Sequence, residues 1–75
     1  MKTIKVKNAP KSMIMLLIEN NMSFAYNYGN ILVMGTSNVE KFKAYMKTKG
    51  ISSSEVESLT YEVVEIDEVS DLSDF

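Results

Sequence analysis

Apolar and polar positions alternate at the start of the chain. Ile4 and Val6 face one way, Lys5 and Lys7 the other. A period of two predicts a half-buried strand over residues 2 to 7. The period then lengthens: Met13, Ile14, Leu17 and Ile18 recur at helical spacing. This predicts a helix with Asn8 as its cap and Pro10 in its first turn, running to about Asn20 or Asn21. Leu16 falls at the margin of that stripe and Met15 opposite it, between Lys11 and Glu19.

Alternation returns at Phe24, Tyr26 and Tyr28, a second strand. Gly29-Asn30 then reads as a two-residue hairpin turn with glycine first, and residues 31 to 35 as a third strand. Ser37-Asn38-Val39-Glu40 has the form of a capping box. It opens a helix over residues 38 to 49 with Val39, Phe42, Tyr45 and Met46 inward. Gly50 stops that helix and Ile51 packs back on its last turn. Ser52-Ser53-Ser54 begins a polar loop with one helical turn through Glu57. Residues 59 to 66 read as a fourth strand.

The order strand, helix, strand, strand, helix, strand predicts an α+β, ferredoxin-like split βαβ sandwich. Its four-stranded antiparallel sheet is expected in the order four, one, three, two, with both helices on one face. The pattern covers residues 2 to 66, so the reading is one domain over residues 1 to 66 and an acidic tail over 67 to 75, expected to be mobile. A superfold of this kind does not specify a function.

Composition narrows the chemistry. The chain has 75 residues, no cysteine and no histidine. Disulfides and thiolate metal sites are excluded, and so is the usual general base near neutral pH. No Asp-rich calcium loop is present. A nucleophilic serine has no histidine to activate it. The lysines fall on outward strand faces, helix ends or a polar helix face, where nothing lowers their pKa. The three glycines, Gly29, Gly35 and Gly50, all have turn or cap roles. The expectation is no enzyme activity, no catalytic residue, no metal and no cofactor. The charged, alternating start lacks the apolar run of a signal peptide, and the longest apolar run, residues 13 to 18, is too short to span a membrane. These features suggest a cytoplasmic protein.

Charge changes the picture most. Residues 1 to 50 carry eight lysines and two acids, net +6; residues 51 to 75 carry eight acids and no base, net −8. Three readings follow. In the first, the acidic fourth strand pairs with the lysine-rich first strand, Glu62 across from Lys5 or Lys7. In the second, Glu62, Glu65, Asp67, Glu68, Asp71 and Asp74 form a recognition surface. They imitate a line of phosphates and attract a partner protein with a basic surface, such as a nucleic-acid channel. In size, charge and style the chain resembles phage and mobile-element inhibitors of host nucleases, anti-CRISPR proteins among them. The third reading concerns Asp71-Leu72-Ser73-Asp74-Phe75, which is similar to the tips of bacterial and phage single-stranded DNA-binding proteins. That resemblance implies that Phe75 enters a partner pocket while the acids meet basic residues.

Two further classes stay open. Lys5, Lys7, Lys43 and Lys47 offer a nucleic-acid contact, since many domains of this superfold bind single-stranded RNA on the open sheet face. The third strand, Ile31-Leu32-Val33-Met34-Gly35, contains no aromatic residue for stacking. Met15 and Leu16 offer an apolar interface, and the second strand an unprotected edge, from which a homodimer or homo-oligomeric structural protein would follow.

Overall fold

The computed structural model describes residues 2–66, so the acidic tail, 67 to 75, lies outside the described residues. The alternation at the start forms β1 (Lys2–Lys7), and α1 (Lys11–Glu19) follows. Asn8 takes a positive φ of 54°, tolerated by its short polar side chain. It thereby turns the chain out of β1 instead of capping the helix. Pro10 holds the cap position, with no side-chain hydrogen bond.

The hairpin of β2 (Phe24–Asn27) and β3 (Asn30–Val33) is shifted by one residue from the expected turn. Asn27 pairs with Asn30, so Tyr28 and Gly29 form the turn. Both have positive φ, 49° and 86°, the pattern of a type I′ turn, whose twist suits a hairpin. α2 (Val39–Thr48) is capped by Asn38, whose Oδ1 accepts from the Lys41 N–H at 3.1 Å. The capping residue is thus one position later than the Ser37 box predicts. Gly50 ends the run at φ 106°, and the Ile51 N–H returns to the Met46 carbonyl at 3.2 Å. The polar loop contains α3 (Ser53–Ser58), with Ser52 Oγ accepting from the Glu55 N–H. β4 (Thr60–Glu65) completes the set.

The fold is α+β, with a four-stranded antiparallel sheet in the order β2-β3-β1-β4. Register sorts side chains between the two sheet faces. Ile4 lies opposite Val33 and Val63, and Val6 opposite Ile31 and Tyr61. This face meets the helices: Met13, Leu16 and Leu17 of α1, Phe42 and Met46 of α2, and Val56 of α3 join Ile4, Val6, Ile31 and Val33 in one buried cluster. Each such side chain contributes about 1.5–3 kcal/mol when fully buried. The alternate positions Thr3, Lys5, Leu32 and Ala25 form the other face.

Candidate functional site

α1 rolls about its axis relative to the expected stripe. Leu16 is buried in the core, whereas Ile18 is 55% exposed. The proposed Met15–Leu16 surface is therefore corrected to Met15 and Ile18, both exposed. Between α1 and the end of α2 lies an open groove of about 530 Å³, lined by Ser12, Met15, Glu19, Lys49 and Ile51. One acid, one lysine, one hydroxyl and the Asn20 amide surround it. Ser12 is already engaged, its Oγ donating to Glu55 Oε1 at 2.6 Å. Among the described residues, no group of three or more metal-ligating side chains comes together.

The four candidate lysines divide into two groups. Lys43 and Lys47 of α2 reach α3. Lys43 Nζ lies 2.8 Å from Glu57 Oε1, and Lys47 Nζ lies 3.5 Å from the same oxygen. The hydrogen bond from Lys43 holds the Glu57 carboxyl below the usual carboxylate range, and the charges of both lysines add to this. The same bond raises Lys43. Lys43 also stands over the Tyr61 ring at 5.5 Å. Tyr61 in turn donates its hydroxyl proton to the Val56 carbonyl at 2.7 Å and meets Phe42 edge-on at 6.5 Å between centroids. Burial, with a smaller effect from Glu57, pushes its phenol up to about 12. Glu57 thus joins α2 to α3 and, through Lys43, to β4. The charge pattern alone did not single out Glu57, because its partners lie 14 and 10 residues earlier in the chain.

Lys5 and Lys7 form the second group, on the helix-free face. Lys5 is half-buried, opposite Leu32 on one side and Glu62 on the other, and Lys7 is exposed, opposite Thr60. The expected cross-strand juxtaposition of Glu62 with Lys5 is therefore present in the register. Glu65 lies opposite Lys2. Asp67, Glu68, Asp71, Asp74 and Phe75 lie outside the described residues.

Register also places the aromatic residues. Phe24, Tyr26 and Tyr61 share the face of Ile31, Val33 and Val6, the helix-covered one. Tyr28 sits in the hairpin turn, 94% exposed. Among the described strand residues of the helix-free face, none is aromatic. No helix is long and apolar enough to cross a membrane, among the described residues. Compared with protein-family models, curated proteins and solved structures, the chain matches none.

Proposed function

We propose that this is a small non-catalytic protein that binds and modulates a protein partner with a basic surface, through its acidic C-terminal segment. Glu62, Glu65, Asp67, Glu68, Asp71 and Asp74 supply the charge and Phe75 an apolar anchor. A nucleic-acid-handling host enzyme, inhibited in a phage or mobile-element setting within the cytoplasm, is the partner class that fits this chemistry. The ferredoxin-like split βαβ arrangement is part of the same reading. The observation that carries the proposal is the final third of the chain, with eight acids and no base.

The alternative of a single-stranded nucleic-acid-binding domain is less well supported. Lys43 and Lys47 are engaged by Glu57. Lys5 and Lys7 sit on a face whose described strand residues offer no aromatic platform, and base stacking supplies much of single-strand affinity.

The test is capture of partners by the tagged full chain from nuclease-treated bacterial lysate. It is run beside a variant with Asp67, Glu68, Asp71 and Asp74 changed to Asn or Gln. A specific partner whose capture weakens with salt and fails with the variant supports the proposal. Capture that is indifferent to both salt and the variant sinks it. A shift of single-stranded DNA or RNA by the purified chain would favour the alternative.

A further inference from the structure

The outer face of α1 is left over by the fold. Lys11, Met15, Ile18 and Glu19 are all exposed. At about 3.6 residues per turn they share roughly a third of the helix circumference, opposite the buried Met13 and Leu17. Two apolar side chains thus lie between a base at one end and an acid at the other. Among the described residues, neither Lys11 nor Glu19 forms an ion pair. They cannot meet each other, being about 12 Å apart along the axis. Lys49, which shares the groove with Glu19, stands over the Tyr45 ring at 5.5 Å. Both charges also oppose the dipole of their own helix. The first turn holds Lys11 and no acid, and the last turn holds Glu19 and no base. A helix is stabilised by acids at its start and bases at its end. Charges that break such a local rule are expected where another contact uses them.

We propose that this face is the interface of a two-fold homodimer, in which α1 of a second copy lies antiparallel on α1 with Met15 at the axis. Met15 stands midway between Lys11 and Glu19, one helical turn from each. Antiparallel pairing about Met15 therefore sets Lys11 of one copy beside Glu19 of the other. The symmetry repeats that contact on the far side of the axis. Met15 packs on Met15, where a flexible thioether suits an adaptable contact. Ile18 covers the aliphatic stem of the second copy's Lys11. Each lysine, badly placed at the start of its own helix, comes to the negative end of the other. Parallel pairing would bring Lys11 onto Lys11 and Glu19 onto Glu19, so the charges select one orientation. The face is one short helix, which puts the interface in the small, weak class. The dimer therefore forms between micromolar and millimolar concentrations. The interface is built without the acidic C-terminal segment, so it and the proposed partner binding stand or fall separately.

Sedimentation equilibrium of the full chain at low salt, from about 10 μM to about 1 mM, tests this. A monomer–dimer equilibrium is expected. Lys11→Glu and Glu19→Lys should each weaken it at least about tenfold, because either reversal replaces two attractive contacts by two repulsive ones. Both reversals suit the dipole of α1 better than the native charges do, so the variants stay folded, and circular dichroism checks this. Mixed together, the two single variants should form a heterodimer, since every contact between them again joins opposite charges. A chain carrying both reversals should self-associate as the native chain does. A monomer at every concentration overturns the proposal. So does a dimer indifferent to the single reversals, which would move the interface to another surface. Single variants that stay monomeric when mixed overturn it too, because they would exclude the antiparallel register.

Discussion

The two faces of the sheet are built from neighbouring residues with different backing. Ile31 and Val33 point beneath the helices and share their burial with side chains from α1, α2 and α3. Leu32, between them, is equally buried but has no helix partner. Burial alone therefore does not distinguish the faces; packing against the described helices does. A helix-backed face is packed on many sides by regular elements, and truncation leaves a cavity. No described helix packs on the other face, so its side chains can collapse more readily around a deletion.

The comparison breaks most sharply at Ile31. Ile31→Ala should cost about 2–5 kcal/mol in urea unfolding, the range for a large aliphatic truncated in a core. Leu32→Ala should cost less, about 2 kcal/mol, since no described helix packs on it and its surroundings can close around the deletion. A cost near zero would mean that Leu32 faces water. A cost equal to that of Ile31 would mean that Leu32 is packed as tightly as the helix-backed face.

Thr3 sharpens the same contrast with the opposite sign. Its hydroxyl is buried without a partner, and such a group costs about 1–3 kcal/mol to desolvate. Thr3→Val keeps the shape and removes the hydroxyl, so stability should rise by about 1 kcal/mol. The helix side offers a comparison of similar size. Asn38→Ala removes the α2 cap and should cost about 1 kcal/mol, whereas Ser37→Ala should be nearly neutral. Thermal unfolding of the pair decides which residue caps.

Much of this was legible in the chain. The alternation over residues 2 to 7, the Asn38-to-Glu40 region with its Gly50 stop, and the strand order all follow from local signals and connection rules. The boundaries moved where two signals competed. Ser37 and Asn38 are both good caps, and Gly29 with either neighbour makes a plausible turn. The second buried face was also written there, in a form harder to read. Ile31-Leu32-Val33 is an unbroken apolar run, and such a run marks a strand covered on both sides. A two-layer pattern with helices on one face does not anticipate that. The Glu57 junction was not legible, because it depends on α3 packing beside α2 and on distances between side chains far apart in sequence.

That junction gives the smallest and most condition-dependent effect. Glu57 is half exposed and Lys43 much less so, so salt screens the pair in part. The Glu57 carboxyl is lowered in the folded protein, first by the Lys43 hydrogen bond and then by the charges of Lys43 and Lys47. A lowered carboxylate favours the folded state when ionised. Its contribution is complete above the ordinary value of 4.5 and disappears as pH falls through the lower folded value. Glu57→Gln should therefore be slightly less stable than the native chain at neutral pH and low salt. The gap should close below pH 4.5 and shrink in high salt. Chemical denaturation at several pH values measures it. A gap unchanged at acid pH would assign the role of Glu57 to packing between α2 and α3, and would return Lys43 and Lys47 to the cations open to a phosphate backbone.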